Sequence, residues 1–305
     1  MAVIAGPTAS GKSALALALA EAVNGVIVNA DSAQVYAELP ILSAAPSEEE
    51  RERAEHRLYG VADGAVGMSA ADWAERARQE IAEVQSSGRL PILAGGTGLY
   101  LRTLLDGIAP VPAIDPAVRA EVRAADVATN RERLLVADPE AAARIGPADS
   151  ARIARALEVV LSTGRPLAEW QRERSGGIGA LVELRPLILL PPREWLYWRC
   201  DERFTAMIDA GAVAEVERLL GRGLSSSLPV MRAIGVREIA AFICGECSLD
   251  EAIAAGQQAT RNYAKRQYTW FAHQPPAEWA RFSDVPFPVR AELVEALSLP
   301  LRGEE

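Results

Sequence analysis

Lysine, cysteine and long apolar runs are all scarce in this chain of 305 residues. Of its 32 basic residues only two are lysines, Lys12 and Lys265, so arginine supplies almost every other positive charge. Both lysines persist against this bias, which makes each a candidate functional residue. No apolar run approaches the ~20 residues of a membrane span, and the first residues predict a strand instead of a signal peptide. We therefore expect a cytoplasmic protein without a membrane partner, with a monomer as the simplest state.

The three cysteines agree with a reducing compartment. Cys244 and Cys247 are spaced like half a zinc site or a redox pair, but only Cys200 remains to join them. This shortage favours free thiols over a metal site.

The net charge of −9 argues against non-specific binding of a polyanion, although the distribution of charge matters more than its sum. Hydrophobic residues make up 50% of the chain, and its length exceeds one typical domain. We expect a large core with a second, smaller unit attached.

The clearest motif is G-x-x-x-x-G-K-[ST], which follows a short apolar run and opens an alanine- and leucine-rich helical stretch. A phosphate-binding P-loop requires this context, because backbone N–H groups and the helix N-terminus then face the phosphate. Lys12 adds a full charge, and the Ser13 hydroxyl is a ligand for Mg²⁺. The alternative is a glycine-rich β–α turn without a ligand. The predicted diphosphate cradle comprises Gly6, Pro7, Thr8, Ala9, Ser10, Gly11, Lys12 and Ser13.

A second apolar run, residues 25–30, ends at Asp31. Because the carboxyl ends of parallel strands share one edge of a sheet, we expect Asp31 beside the P-loop. A carboxylate there can hold Mg²⁺ through water or accept a proton from an attacking nucleophile. The alternative is an N-cap for the following segment.

A third apolar run, residues 90–94, ends in a glycine-rich turn that contains Thr97. Its glycines allow close approach of the backbone to a ligand, and the Thr97 hydroxyl falls at the same edge as Asp31. A tight turn without ligand contact is the alternative. Before this run we expect a surface helix and loop at 46–57 and an amphipathic helix over 68–87.

After Pro110 and Pro112 the pattern is helical up to about residue 185, and residues 114–185, which include Pro116, contain eleven arginines, eleven acidic residues and no lysine. We therefore predict an α/β fold: a P-loop-containing parallel sheet with flanking helices plus a helical insertion domain. The predicted core covers 1–113 and 186–282, the insertion 114–185 and a C-terminal tail 283–305. Candidates for phosphate contacts in the insertion are Arg119, Arg152 and Arg155, although salt bridges to neighbouring acids are the default role.

After a strand predicted at 186–190, the sequence shows a long amphipathic stretch over 195–220 and then Arg232. An arginine suits a diphosphate because its planar guanidinium can grip two oxygens at once. We expect Arg232 to lie just before a helix, within reach of the phosphate crevice.

Residues 261–273 combine three basic residues with four aromatics and no acid. Arg261, Lys265 and Tyr268 share one helical face, which suits an RNA backbone beside a stacked base. Packing of these aromatics in the core is an equal alternative.

Taken in order, five motifs resemble those of the bacterial tRNA dimethylallyltransferases, and the likeness covers nearly the whole chain. The helical insertion also falls where that family has one. The motifs are residues 6–13, Asp31-Ser-Ala-Gln-Val-Tyr36, Gly95-Gly-Thr-Gly-Leu-Tyr100, Arg232-Ala-Ile-Gly-Val-Arg237 and Arg261-Asn-Tyr-Ala-Lys-Arg-Gln-Tyr-Thr-Trp270.

The resemblance implies transfer of the prenyl group of dimethylallyl diphosphate to N6 of the adenosine immediately 3′ of the anticodon, with release of diphosphate. The partner is then a tRNA anticodon stem-loop, the cofactor is Mg²⁺ on Ser13, and the P-loop holds a leaving group instead of a nucleotide. It implies catalytic roles for Asp31, Lys12, Arg232 and Thr97. The tRNA-binding residues that it implies are Asp31, Ser32, Ala33, Gln34, Thr97, Arg119, Arg152, Arg155, Arg232, Arg237, Lys265 and Arg266.

Two positions depart from the family pattern, since Ala45 and Ala272 stand where family members often carry lysine and arginine. The first change removes one expected tRNA or phosphate contact, but neither touches the proposed chemical core. Three other functions stay open: an adenylate isopentenyltransferase that accepts a free nucleotide, a small-molecule P-loop kinase that uses ATP, and a non-catalytic RNA-binding protein. The insertion and residues 261–270 favour an RNA acceptor, and the intact Lys12, Ser13 and Asp31 favour an enzyme.

Overall fold

A computed structural model of the chain describes residues 1–285 and 288–298. Within these residues six strands form a single sheet in the order β3-β2-β4-β1-β5-β6, and every neighbouring pair is parallel. The predicted parallel sheet is therefore confirmed. The strands are β1 Ala2–Ala5, β2 Val26–Asn29, β3 Glu55–Arg57, β4 Pro91–Gly95, β5 Arg185–Leu189 and β6 Ala280–Phe282.

Helices connect and cover these strands. They are α1 Lys12–Val23, α2 Glu48–Arg53, α3 Ala70–Ser86, α4 Gly98–Asp106, α5 Pro116–Ala124, α6 Val127–Ala137, α7 Pro139–Arg144, α8 Ser150–Thr163, α9 Leu167–Trp170, α10 Arg193–Asp209, α11 Ala212–Gly221, α12 Val236–Ile243, α13 Leu249–His273 and α14 Ala291–Ser298.

The strand register brings three loops to one edge of the sheet. Ala5 of β1 pairs with Gly95 of β4, and Asn29 of β2 pairs with Ala94 of β4. These central strands are completely buried, which is why their sequences are continuous apolar runs. The P-loop, the Asp31 loop and the second glycine-rich turn therefore all leave the sheet at the same level, as the sequence predicts.

The amphipathic helix predicted over 68–87 is α3. Ser69 caps it by accepting a hydrogen bond from the Asp72 backbone N–H, while the Asp72 side chain accepts one from the Ser69 N–H. The apolar stripe of this helix is buried, with Trp73 and Ile81 at its centre. The helical periodicity of the sequence was sufficient to predict this helix, because one of its faces packs on the core.

The chain forms two compact units, one made of Met1–Leu104 with the described residues from Gly179 onward, the other of Leu105–Ile178. The second unit is helical and has its own apolar core, centred on Leu134, Ile153 and Leu157. It begins and ends earlier in the chain than the predicted range 114–185. The reason is a pair of hydrogen bonds between Ile108 and Ser175, at 3.0 and 3.1 Å, which joins the entering and leaving segments.

Three local expectations were wrong. Residues 46–57 form α2 and an edge strand, β3, instead of a helix and loop. The stretch 195–220 is two helices, because Gly211 has a φ of 102° and breaks the periodicity. The predicted tail contains α14, whose Leu297 is buried against the core that includes α1. Residues 286, 287 and 299–305 of that tail lie outside the described residues.

None of the helices in the described part of the chain is long and apolar enough to span a membrane.

Candidate active site

A cavity of about 250 Å³ lies at the carboxyl edge of the sheet in the first unit. Its lining is polar at the P-loop, where Thr8, Lys12 and Ser13 contribute, and Asp31 faces the same space. Ser32, Ala33, Gln34 and Arg232 also line it. The structure thus brings together the phosphate loop, the carboxylate and the arginine that the sequence predicts for one site.

The P-loop has the backbone geometry of a phosphate cradle. Gly11 precedes α1 at a φ of 91° and provides no side-chain cap, so the first N–H groups of the helix are left for a ligand. Two features require glycine at position 6. Its φ is 148°, and a Cβ there would lie 2.4 Å from the Leu189 carbonyl oxygen. Ala9 adopts a φ of 62°, an uncommon value for a residue with a side chain. Such conformations concentrate at ligand-binding loops.

Lys12 is the central cation of the site. Its Nζ donates a hydrogen bond to the Pro7 carbonyl oxygen at 2.6 Å, which folds the side chain back over the loop. Burial lowers the pKa of Lys12 to about 8, and the nearby Asp31 carboxylate partly opposes that shift. A second cation, Arg203 on α10, donates from Nη2 to the Thr8 hydroxyl at 2.7 Å. The loop therefore carries two positive charges where a diphosphate would be held.

Asp31 is held by its own backbone and by buried Asn29. The Asn29 side chain accepts from the Asp31 N–H at 2.8 Å and donates to the carbonyl oxygens of Asp31 and Leu58, both at 3.0 Å. The Asp31 carboxylate accepts from the Ala33 N–H at 3.0 Å through one oxygen, Oδ1. This arrangement fixes the carboxyl group on the cavity wall.

Thr97 contacts the Asp31 loop. Its hydroxyl oxygen accepts a hydrogen bond from the Ser32 N–H at 2.9 Å, and its own N–H donates to the Ala30 carbonyl oxygen at 3.1 Å. In this structure the Thr97 hydroxyl therefore positions the segment that carries Asp31. The same two segments approach closely at Gly95, two residues before Thr97. A Cβ at Gly95 would lie 2.2 Å from the Ala30 backbone, which explains the glycine there.

Gln267 of α13 joins the P-loop to the second glycine-rich turn. Its Oε1 accepts from the Thr8 N–H at 2.8 Å, and its Nε2 donates to the Gly96 carbonyl oxygen at 2.7 Å. The side chain is buried, and a Cβ on Gly96 would lie 2.4 Å from its amide nitrogen. A single side chain thus sets the spacing of the two loops.

The opposite end of the cavity is apolar. Leu42, Phe204 and Met207 contribute to it, and Leu42 and Phe204 both lie against Gly235. Tyr100 and Tyr263 line the same cavity, and Tyr263 of α13 lies beside Thr97 and Asp31. Burial raises the pKa of the Tyr263 hydroxyl, so this group is uncharged. A cavity with a cationic part and an apolar part suits a ligand that has an anionic group at one end and a hydrocarbon group at the other.

The other predicted site residues lie elsewhere. Arg237 is exposed on α12, and Lys265 and Arg266 are exposed on α13, all outside the cavity lining. Arg119, Arg152 and Arg155 are in the second unit, where Arg152 pairs with Asp149 at 3.5 Å. Their predicted contacts with RNA stay predictions.

Two members of the basic and aromatic face predicted on α13 instead hold α10. Arg261 forms a salt bridge with Asp201 of α10. The Tyr268 hydroxyl donates to the Leu190 carbonyl oxygen at 3.4 Å, and the Arg193 guanidinium lies 4.8 Å from the centre of its ring. Of these three residues only Lys265 is fully exposed, and the contact of this face with RNA stays a prediction.

Sequence reasoning missed Arg203 and Gln267. Arg203 stands in a helix whose other residues follow ordinary amphipathic spacing, and a single arginine there gives no motif. Gln267 directly follows Lys265 and Arg266 and belongs to the fifth motif. A single glutamine, however, does not indicate any particular chemistry. Only the packing of α10 and α13 beside the loop shows the role of either side chain.

The site lacks the cation that the family pattern places at Ala45. Ala45 and Pro46 line a second concavity on the other side of Lys12, which Arg199 and Arg203 also line. Two arginines thus line the same concavity as Ala45.

The chain is also similar to known proteins. The sequence profile of a family described as IPP transferase matches residues 34–274. The chain is 60% identical over 303 residues to a tRNA dimethylallyltransferase of Sphingopyxis alaskensis, covering 99% of this chain and 98% of that protein. The corresponding protein of Erythrobacter litoralis is 59% identical over 292 residues, or 94% and 92% of the two chains.

Two solved structures are also similar. A full-length tRNA isopentenylpyrophosphate transferase from Bacillus halodurans superposes with a TM-score of 0.66 at 33% identity, covering 92% of this chain and 89% of that one. A eukaryotic dimethylallyltransferase acting on tRNA gives a TM-score of 0.77 at 28% identity, over 88% of this chain and 69% of that one.

Proposed function

The chain belongs to the IPP transferase family, and we propose that it transfers the five-carbon group of dimethylallyl diphosphate to N6 of the adenosine immediately 3′ of a tRNA anticodon. That it modifies tRNA by dimethylallyl transfer follows from its relatives. The donor, the acceptor atom and the residue roles are our proposal. The observation that carries it is one cavity with Lys12 at one end, Asp31 on its wall and an apolar surface beyond.

The diphosphate end of the donor fits the P-loop. Breaking the allylic C1–O bond leaves its electron pair on the departing diphosphate and positive character on carbon, so stabilising the new anion lowers the barrier most. Lys12, Arg203 and the N–H groups at the start of α1 supply that stabilisation, and Arg232 also lines the cavity. Lys12, Arg203 and Arg232 thus supply positive charge to the leaving group.

Asp31 is the proposed base. The adenine amino group is scarcely acidic, so its proton leaves only as the bond from N6 to C1 forms, and the Asp31 carboxylate accepts it. The balanced reaction yields N6-prenylated adenosine, diphosphate and the proton on Asp31. The base must leave the anticodon-loop stack to enter a cavity of this size, as in other enzymes that act on bases.

Mg²⁺ is the proposed cofactor, and the residues present fit a metal that the substrate itself helps to hold. Ser13 lines the cavity at the first turn of α1, and Asp31 faces the same space. Among the described residues no three His, Cys, Asp or Glu side chains cluster into a metal site. Mg²⁺ commonly binds through one or two protein ligands, water and substrate phosphates, which suits this sparse set. When bound, the ion neutralises charge on the diphosphate.

For the tRNA, we propose that Lys265 and Arg266 of α13 and the arginines of the helical second unit contact the phosphate backbone. Arg119, Arg123 and Arg155 lie near one another in that unit, around the buried carboxylate of Glu158. A group of guanidinium side chains suits phosphate contacts that position an RNA without reading its sequence. Location in the cytoplasm and a monomeric state remain predictions from the sequence.

The test incubates the protein and Mg²⁺ with radiolabelled dimethylallyl diphosphate and, in parallel, with unmodified tRNA or AMP. Label in tRNA at the adenosine 3′ of the anticodon supports the proposal. Label in AMP but not in tRNA identifies an adenylate isopentenyltransferase instead. Turnover of ATP without any prenyl transfer identifies a kinase.

A further inference from the structure

We propose that Phe204 restricts the donor to a single isoprene unit by occupying the apolar part of the cavity one helical turn beyond the P-loop. The inference rests on the proposed placement of the diphosphate at the P-loop. It adds a determinant of donor length to the proposed reaction and identifies the side chain responsible.

Helix α10 runs along the cavity and away from the P-loop. Cys200, Arg203, Phe204 and Met207 all line the cavity, at the spacing of one helical face. Cys200 packs against Ala9 of the P-loop, and Arg203 contacts Thr8. Phe204 follows Cys200 by four residues, so it lies about 6 Å further along the helix axis. The ring thus stands one helical turn beyond the phosphate loop.

Helix α13 packs against α10 along the same course. Gln267 contacts the P-loop, Ala264 packs in the same cluster as Cys200, and Gly256 faces Phe204. Thr260 lies between these levels and also lines the cavity. Its hydroxyl donates to the Gly256 carbonyl oxygen at 2.8 Å, so its proton is used within α13. The two helices therefore pack against each other and form one wall of the cavity, which is polar at the loop and apolar at Phe204.

The Phe204 ring has little freedom to move away from the cavity. A Cβ on Gly256 would lie 2.0 Å from its Cζ, and a Cβ on Gly235 would lie 3.0 Å from its Cε2 and 2.8 Å from Leu42 Cδ1. The ring is 2% exposed. Two glycines thus accommodate the aromatic ring at its edge, and tight contacts on these sides prevent it from yielding to a longer donor.

This geometry predicts a limit on donor length. With its diphosphate at Lys12 and Thr8, a dimethylallyl group spans the turn between Cys200 and Phe204. A geranyl group carries a second isoprene unit, which requires the volume that the ring occupies. The donor cannot reverse its direction, because the cationic end would then meet the hydrocarbon.

The experiment measures kcat/KM for dimethylallyl and geranyl diphosphate with the same tRNA, in the wild type, Phe204→Ala and Phe204→Leu. We expect the wild type to strongly prefer the five-carbon donor. In Phe204→Ala the ratio of geranyl to dimethylallyl transfer should rise by about 10-fold or more, the scale on which a hydrophobic pocket discriminates a few carbons. Phe204→Leu, which retains more of the side-chain volume, should show a smaller rise and provides a folded variant if the alanine variant unfolds.

Phe271→Leu is the matched control. Phe271 is an equally buried aromatic on α13 that does not line the cavity, so its change should leave the donor ratio as in the wild type. A ratio that stays constant in folded Phe204→Leu and Phe204→Ala overturns the inference, as does a wild type that uses both donors equally. If the wild type transfers dimethylallyl to tRNA, the proposed function stands whichever result is obtained. Absence of any transfer rejects both.

Discussion

The Gln267 side chain accepts a hydrogen bond from the Thr8 N–H at 2.8 Å, so one N–H of the P-loop is directed at the protein and not at a phosphate. The same amide group donates to the Gly96 carbonyl oxygen at 2.7 Å. Next to Gly96, Thr97 holds the Ser32 N–H beside Asp31. These hydrogen bonds, together with the peptide bond between Gly96 and Thr97, therefore connect the proposed donor loop to the segment that carries the proposed base.

Replacing this amide tests its positioning role. Gln267→Met nearly preserves side-chain length but removes both hydrogen bonds, leaving the Thr8 N–H and the Gly96 carbonyl unpaired. We expect kcat to fall by about 10²-fold because the donor and base lose their register, with a smaller change in KM. Steady-state kinetics measures this split. Gln274→Leu, at an exposed position after α13, is the control and should match the wild type. A change confined to thermal stability would show that Gln267 is only structural.

Asp31→Asn removes the proposed base and keeps an oxygen that can accept from the Ala33 N–H. Single-turnover transfer should slow by about 10²–10⁴-fold, the usual contribution of a positioned base. Binding of tRNA, measured by gel shift, should be unchanged. Asp63→Asn, at an exposed carboxylate that pairs with Arg222, serves as control. Equal losses of binding and rate would instead mean that Asp31 organises the tRNA site.

The activity should depend on pH through Lys12. Burial lowers the pKa of this lysine to about 8, so its ammonium group is charged below that pH and is progressively lost above it. Since the charged form binds the diphosphate, kcat/KM for the donor should fall as pH rises through about 8. The bound diphosphate raises the pKa of Lys12, so the fall in kcat should occur at higher pH. Lys12→Arg, whose guanidinium stays protonated, should remove this limb from whatever activity remains. A flat wild-type profile up to about pH 9.5 would contradict the assignment.

Lys265 tests the proposed RNA contact on α13. Its side chain is exposed and outside the cavity, so Lys265→Ala should leave donor binding intact. Affinity for tRNA should fall, and the slope of log K against log salt should decrease by about 0.7–1, as expected for loss of one phosphate contact. Fluorescence anisotropy over a range of salt concentrations measures both. Arg76→Ala, at an exposed position on α3, is the control. An unchanged slope would remove Lys265 from the interface.

The contact between Gly256 and Phe204 predicts a contrast between two similar substitutions. Gly256→Ala places a methyl group 2.0 Å from the ring, so overpacking should lower the free energy of unfolding by about 1–3 kcal/mol. Gly221→Ala, at the end of α11, meets no atom within 4 Å and should be neutral or slightly stabilising. Chemical denaturation compares the two. Equal stability of both variants would show that α13 can move away from α10.

Local sequence was sufficient for the P-loop, the three central strands and the edge at which Asp31 and Thr97 emerge. Each of these features depends on residues close together in the chain: continuous apolar runs, glycines that permit a turn, and a cap such as Ser69. The strand β3 and the helix α14 were missed because neither has a strong pattern of its own. The strand has three polar residues and forms by pairing with β2, and the helix is held by burial of Leu297.

The sequence by itself determined the polar groups available to this site, since the spacing of the residues is sufficient to identify the P-loop glycines, Lys12, Ser13 and Asp31. Tertiary structure decided which further side chains join them. Arg203, Phe204 and Gln267 become part of the site only because α10 and α13 pack against each other beside the loop. A contact between residues more than fifty positions apart leaves no periodic signal in one sequence, because its energy depends on distance in space and not on separation along the chain.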